Sequence, residues 1–381
     1  MTEFCLFSAK KCISDPMPKK KKVFVCAQGP FLLSYIHDAM TPKPYWILRH
    51  HGSSSIRSLH HAHGLLAIGD ESGKASLVDL NTLRPRFFWT AHTDSILTVV
   101  IVNSDQVITH ARDNSLKLWK LPSAPASLGM SALIGSTSND KDPSTVSPEL
   151  VRTIGVNALN FAKCSHLSSL LAVPNALDAA YIDILDLTNG HRTSEAVGRP
   201  DIKPPSRNRL PIVMSLHLLS PDELIVGYED GYVKRWNARE LVWASRCHSE
   251  SVMSVSISDR GFGVSVGADD RVARFDLITG EVRLSQTRTA GKSSVEIAPD
   301  GETFLVGAWD GSITVYSASN MTRLGSLDYH RNTVECLTFA TVAIPAEDEE
   351  EEDDDALQDS AQQLVLAAGG RDGKVSLWKY H

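Results

Sequence analysis

Residues 109–120 read Thr-His-Ala-Arg-Asp-Asn-Ser-Leu-Lys-Leu-Trp-Lys: the end of one β-strand, a tight Asp-Asn turn, and a second strand closing on tryptophan. The outline recurs at 227–236 (Gly-Tyr-Glu-Asp-Gly-Tyr-Val-Lys-Arg-Trp), 307–316 (Gly-Ala-Trp-Asp-Gly-Ser-Ile-Thr-Val-Tyr) and 369–378 (Gly-Gly-Arg-Asp-Gly-Lys-Val-Ser-Leu-Trp). In each copy the turn residue and the closing hydrophobe stand six apart. Weaker copies fill the gaps: 267–276 keeps Asp269 and closes on Phe275, 69–79 carries Ser72 and Val78, and Leu185 marks a degenerate one.

The closing positions Val78, Trp119, Leu185, Trp236, Phe275, Tyr316 and Trp378 are separated by 41, 66, 51, 39, 41 and 62 residues. A period of about 40–45 residues with four short strands per unit is the signature of an all-β, WD-repeat β-propeller. Two stretches, 123–148 and 341–363, read as inserted loops, tolerable because closure entropy grows only logarithmically with length. Setting them aside leaves 288 residues between 45 and 381, or 41 per blade for seven blades, where six would need 48 and eight 36. The final copy ends at Trp378, leaving no room for a fourth strand. An open ring would leave an unpaired sheet edge, so residues 45–49 are expected to supply the outer strand of the blade whose other strands lie at 334–378. Blade three is the least regular: 156–161 and 169–173 read as its first two strands and 181–187 as its third, with 199–211 an irregular bridge to blade four.

Residues 1–44 stand outside the repeat and hold Pro18 followed by Lys19, Lys20, Lys21 and Lys22, which resembles a monopartite nuclear import signal. No run of about 18 apolar residues is present, so no membrane span is expected. Six scattered cysteines without a CxxC pair fit reduced thiols in the nucleus or cytosol. The net charge of -7 comes from nine consecutive acids at 347–355; without them 36 acidic residues face 38 basic ones. That near-neutral body argues against direct nucleic-acid binding. The acidic run reads as a solvated loop or as a docking site for a basic partner.

His92, Thr98, Asp113 and Trp119 invite comparison with a catalytic triad, but a triad needs an exposed nucleophile beside an oxyanion site. Their spacing matches the structural tetrad of WD repeats, in which histidine, hydroxyl, turn aspartate and indole form one buried hydrogen-bonded chain. Blade five keeps His248, Ser254 and Asp269 with Phe275 in place of the indole, and blade seven keeps His330, Asp372 and Trp378 with Cys336 at the hydroxyl position. Blades one, three, four and six lack one or more members. The histidines at 50, 51, 60, 61 and 63 lack partners at metal-ligand spacing, and 370–374 lacks the glycine spacing of a phosphate loop. No catalytic residue, cofactor, metal or small-molecule substrate is expected. By likeness to other WD-repeat proteins, the residue before each turn aspartate projects near the channel mouth; here these are Glu71, Arg112, Glu229, Ala268, Trp309 and Arg371. Trp309, Arg112 and Arg371 are the types enriched at interface hot spots, with Glu229 and Glu71 beside them as further candidates for partner binding.

Four stretches go beyond the generic repeat: 108–114 (Ile-Thr-His-Ala-Arg-Asp-Asn), 156–161 (Val-Asn-Ala-Leu-Asn-Phe), 171–178 (Leu-Ala-Val-Pro-Asn-Ala-Leu-Asp) and 307–311 (Gly-Ala-Trp-Asp-Gly). Through them the chain, over 45–381, resembles the ASTRA-associated protein 1 family, whose animal relative is the G-protein-β-subunit-like protein 1. The resemblance implies a nuclear, non-catalytic scaffold of the ASTRA assembly, linked to chromatin remodelling and to a co-chaperone that matures phosphatidylinositol-3-kinase-like kinases. Its expected partners are ASTRA subunits and that co-chaperone complex. The alternatives are a substrate receptor of a ubiquitin ligase, another peptide-binding adaptor, or a G-protein β subunit; the last is disfavoured because no coiled-coil heptads precede the blades.

Overall fold

Short runs of alternating apolar and polar residues, broken every few residues by Asp-Gly, Ser-Gly or Asn-Gly-like turns, leave the chain one way to bury its apolar faces: small twisted sheets stacked on one another. The computed structural model describes residues 42–122, 147–158, 161–200, 209–343 and 362–380. The lysine block at 19–22, the acidic run at 347–355 and nearly all of the insertion at 123–148 lie outside them.

The described strands form seven four-stranded antiparallel sheets. β1 (Trp46–Leu48) is set apart from the first blade, which is β2 to β5 (Ile56–Ala62, Leu65–Asp70, Lys74–Asp79, Arg84–Thr90). Blade two is β6 to β9 (Ile96–Ile101, Gln106–Ala111, Ser115–Lys120, Glu149–Gly155). Blade three is β10 to β13 (Ser165–Leu167, Leu170–Pro174, Ile182–Asp186, Arg192–Val197). Blade four is β14 to β17 (Val213–Leu218, Glu223–Tyr228, Tyr232–Asn237, Glu240–Arg246). Blade five is β18 to β21 (Val252–Ser258, Phe262–Gly267, Arg271–Asp276, Val282–Gln286). Blade six is β22 to β25 (Lys292–Ile297, Thr303–Ala308, Ser312–Ser317, Arg323–Asp328). Blade seven takes β26 to β28 (Val334–Ala343, Gln362–Gly370, Val375–Lys379) and completes itself with β1, in register Trp46↔Leu377, Ile47↔Ser376 and Leu48↔Val375. The ring is therefore a closed, seven-bladed propeller joined by its two ends.

Two details differ from the expectation. In blade seven the first hairpin is longer, because Thr341, Val342 and Ala343 pair with Leu364, Gln363 and Gln362. In blade three the first strand is β10 and not 156–161. Asn114 takes a left-handed φ of 59° in the blade-two turn, and its side-chain and main-chain oxygens accept from the N–H groups of Ala158 and Val156. Those bonds tie 156–158 to the blade-two turn as a connection outside the sheets.

The core is divided among the junctions, with one apolar cluster between each pair of neighbouring blades. Two devices repeat at these junctions. A glycine late in the second strand lets the next blade's first aliphatic side chain tuck in: a Cβ on Gly69 would lie 2.6 Å from Ile96 Cγ2, and the same holds for Gly369 against Ile56. Two residues after the tucked side chain, beyond a β-bulge, stands a small polar latch: Ser58, Thr98, Ser215, Ser254, Ser294 or Cys336. Ser58 Oγ accepts from Val99 N–H at 3.0 Å and Thr98 Oγ1 from Cys164 N–H at 3.0 Å, so these groups join first strand to first strand around the channel.

Candidate functional site

The polar chains inside the blades decide whether the histidines are reactive. His92 is buried; its Nδ1–H donates to Asp113 at 2.9 Å, and its Nε2 accepts from the Thr109 hydroxyl at 2.7 Å. The indole N–H of Trp119 donates to the same Thr109 oxygen at 2.8 Å. Burial holds the His92 pKa below its ordinary value against the pull of Asp113. Burial would raise the Asp113 carboxyl, but hydrogen bonds from Ser115 and His92 outweigh it and hold the group below the usual carboxylate range. Thr109 is fully buried. A hydroxyl with no route to substrate, beside a neutral imidazole, is structural mortar.

The hydroxyl in this chain is Thr109 and not the expected Thr98, which is the latch to blade three. Likewise, in blade five His248 pairs with Asp269 at 2.9 Å and with Ser265 at 3.0 Å, while Ser254 faces blade six and accepts from Val295 N–H at 3.4 Å. In blade seven His330 pairs with Asp372 at 3.0 Å and with Ser376 at 2.8 Å, and Trp378 donates to Ser376 at 2.9 Å. The Cys336 thiol points instead toward the carbonyls of Ile56 and Gly369. Blade one holds a chain that its turn residue Ser72 conceals: His51 donates to Asp70 at 2.7 Å and accepts from Ser76 at 2.8 Å. The hydroxyl thus has two homes facing each other across one strand pair. Thr109 and Ser265 sit on second strands opposite Lys117 and Ala273, whereas Ser76 and Ser376 sit on third strands opposite Ile68 and Ala368. A serine four residues after the turn position, facing an aliphatic partner, is the signal that finds them.

Other blades substitute different chemistry. In blade three Arg192 pairs with Asp183 at 2.8 Å, and Asn175 donates to the same carboxylate at 2.7 Å. In blade four Trp236 donates to the Tyr228 hydroxyl at 3.0 Å. Among the described residues no group of three or more His, Cys, Asp or Glu is placed to hold a metal ion. Cys164, Cys247 and Cys336 are buried and unpaired, with thiols pushed up to about 12 by burial.

The turns between second and third strands, together with the blade-to-blade connections, make one rim of the ring, here called the upper face. Its centre is a cavity of about 500 Å³ lined by Trp309, Arg371, Phe161, Lys163, Leu97 and Met253 among others. Trp309 is 47% exposed; its ring lies over Gly291, where a Cβ would come within 2.3 Å of it. Phe161 is 53% exposed, and Arg112 sits 4.9 Å above its ring centre. Lys163 reaches from blade three to donate to the Glu335 carbonyl of blade seven at 3.3 Å, so it crosses the channel mouth. Arg57 binds Glu71 at 2.9 Å and Glu335 at 3.1 Å. Of the residues singled out in the sequence, Trp309 and Arg371 meet at this cavity, Arg112 and Glu71 border it through Phe161 and Arg57, and Glu229 is engaged by Arg209 at 3.1 Å away from it. Phe161 and Lys163 are the members that sequence reasoning missed. Below the mouth the channel is lined by His60, His166, His217 and Glu296. Burial lowers His60 and His217 to about 4 and raises Glu296 to about 8, the latter against the opposing charge of Lys163.

A closed ring of seven sheets with buried histidine-aspartate mortar and an aromatic, cationic mouth defines a WD-repeat propeller scaffold. The family model for the WD domain, G-beta repeat, matches residues 284–317. The fold is shared with the crystal structure of the computationally designed Ika8 protein, at a TM-score of 0.57 and 15% identity over 89% of this chain and 98% of that one. ASTRA-associated protein 1 of Verticillium alfalfae is 30% identical across 89% of this chain and 93% of its own length. The proteins of the same name from Schizosaccharomyces japonicus and Schizosaccharomyces pombe are 26% and 27% identical, each over 90% of this chain and 100% of their own length. The chain belongs to the ASTRA-associated protein 1 family.

Proposed function

We propose that this chain is a nuclear docking subunit of the ASTRA assembly, serving chromatin remodelling and the maturation of phosphatidylinositol-3-kinase-like kinases with their co-chaperone, and that its partners seat on the upper mouth. One observation carries the choice of face. The four stretches through which the sequence resembles the family converge on the upper rim: Arg112 and Asn114 from the first, Phe161 from the second, the Asn175 turn from the third and Trp309 from the fourth. In the third stretch Asn175 Oδ1 accepts from the N–H groups of Leu177 and Asp178 and holds Leu177 at 95% exposure. Trp309 and Arg112 are of the residue types in which interface hot spots are enriched.

Affinity purification of the tagged chain with mass spectrometry tests the reading. The wild type and Arg239→Glu, a change on the opposite face, should recover ASTRA subunits and the kinase co-chaperone, and Trp309→Ala with Arg371→Glu should lose them. Recovery of a cullin adaptor in their place would make the chain a ubiquitin-ligase receptor. Nuclear import is tested separately by imaging a fluorescent fusion in which Lys19 to Lys22 are replaced by alanine; unchanged nuclear signal would remove that block from the account.

A further inference from the structure

We propose that the upper cavity receives an acidic segment of a partner protein that carries one aromatic or large aliphatic side chain. This rests on the reading of the mouth as the docking site and adds the chemistry of what enters it. Arg57, Lys163, Arg371 and Arg112 border the cavity; of the carboxylates near them, Glu71 and Glu335 are both already bound to Arg57, and Glu296 lies below in the channel, pushed up to about 8 by burial. Among the described residues Arg371 approaches Glu71 without forming an ion pair, Lys163 donates to the Glu335 carbonyl and feels Glu296 below it in the channel without a salt bridge, and the Arg112 guanidinium stacks on the Phe161 ring. Among the described residues, three cations therefore border the opening without a salt-bridged carboxylate, around walls formed by Trp309, Phe161, Leu97 and Met253.

The site arises from one irregular junction. By the latch bonds Lys163 takes the place that Thr98 holds one blade earlier, and Phe161 the place of Ile96. The slot that would accept Phe161 is filled by His110, which stands at the position of Gly69, Gly227, Gly307 and Gly369 in blades one, four, six and seven and of the smaller Pro174 and Val266 in blades three and five. His110 is fully buried with neither ring nitrogen hydrogen-bonded among the described residues. The displaced phenylalanine and the lysine at the latch site supply the apolar and cationic halves of one pocket. A carboxylate-bearing segment satisfies both at once: its acids pair with Arg371 and Lys163, and its apolar side chain enters between Trp309 and Phe161. The chain's own acids are not the occupant inferred, since β26 and β27 open toward 344–361 at the end away from Arg371. Apolar walls on an otherwise near-neutral body favour a peptide over a phosphate backbone.

The test uses the full chain and a fluorescein-labelled peptide, Glu-Asp-Glu-Phe-Glu-Asp-Glu, followed by anisotropy. Arg371→Glu or Lys163→Glu should each weaken binding by about tenfold or more, Trp309→Ala by about as much, and Arg239→Glu not at all, with unchanged circular dichroism in every variant. A peptide with Gln and Asn for its acids that binds equally well overturns the acidic class and leaves the docking face standing. A short oligothymidylate that binds as tightly and is lost in the same variants replaces the peptide with nucleic acid and overturns the proposal. Deletion of 347–355 that raises affinity makes the chain's own acids the occupant and also overturns it. If none of these probes binds while Trp309→Ala still loses its purified partners, the acidic-segment proposal falls alone; if Trp309→Ala with Arg371→Glu keeps every partner, the docking reading falls with it.

Discussion

The junction between blades one and two and the junction between blades two and three use the same three positions to opposite ends. At the first, Gly69 admits Ile96, and Thr98, two residues on, is free to latch forward onto Cys164 of blade three. At the second, His110 fills the slot, Phe161 is turned out onto the upper face, and Lys163 stands where the latch belongs and spans the mouth. A repeat protein is stabilised by near-identical interfaces, so a position that breaks the repeat gives up some stability, and its residues become free to meet something else. That exchange is expected at functional sites.

The contrast can be sharpened by substitution. On the regular side Trp119→Ala removes a buried indole and its bond to Thr109, and should cost about 3–5 kcal/mol by chemical denaturation. His110 should contribute to the acid limb of stability. Its pKa falls from 6.5 to about 4 on folding through burial, with His92 adding to the shift. Between those values the unfolded chain binds more protons, so stability falls as pH drops, by about 3 kcal/mol from pH 7 to pH 4 for this group alone. His50, His60 and His217 act in the same direction, whereas Glu296, raised to about 8, opposes them, because between about 8 and 4.5 the folded chain binds its proton more tightly. His110→Leu should flatten that limb in a denaturation series against pH, and an unchanged slope would remove His110 as its source. Gly69→Ala places a methyl 2.6 Å from Ile96 and should cost about 1–3 kcal/mol by overpacking. Thr109→Val and Thr98→Val each lose bonds worth about 0.5–1.5 kcal/mol. The first strands both the Trp119 indole N–H and the His92 ring nitrogen, the second only the Cys164 N–H, so the first should cost more; the reverse order in melting temperature would return Thr98 to the tetrad.

Much of this was legible before the structure. Turn aspartates six residues from a closing hydrophobe located the second and third strands, and the missing fourth strand after Trp378 pointed to β1. The hydroxyl was misplaced because Thr98, Ser254 and Cys336 also recur at one position per blade, for a different reason: they join blades. Periodicity reports that a residue is needed, not what it touches. Blade three misled through composition, since the apolar alternation of 156–161 reads as a strand, while the N–H groups of Val156 and Ala158 are already claimed by Asn114. The blade-one chain stayed hidden because its carboxylate, Asp70, stands at the strand end, two residues before the turn position. Trp309 and Arg371 could be named from their turns, but Phe161 and Lys163 become visible only when His110 is seen to occupy the slot of a glycine.

The displacement of Phe161 by His110 is most directly tested by a double-mutant cycle on unfolding free energy. In the wild type Phe161→Ala should cost within about 0.5 kcal/mol, as for an exposed side chain. In a His110→Gly background the ring can enter the opened slot as Ile96 enters beside Gly69, and the same truncation should cost about 2 kcal/mol or more. Equal small costs in both backgrounds would contradict the account.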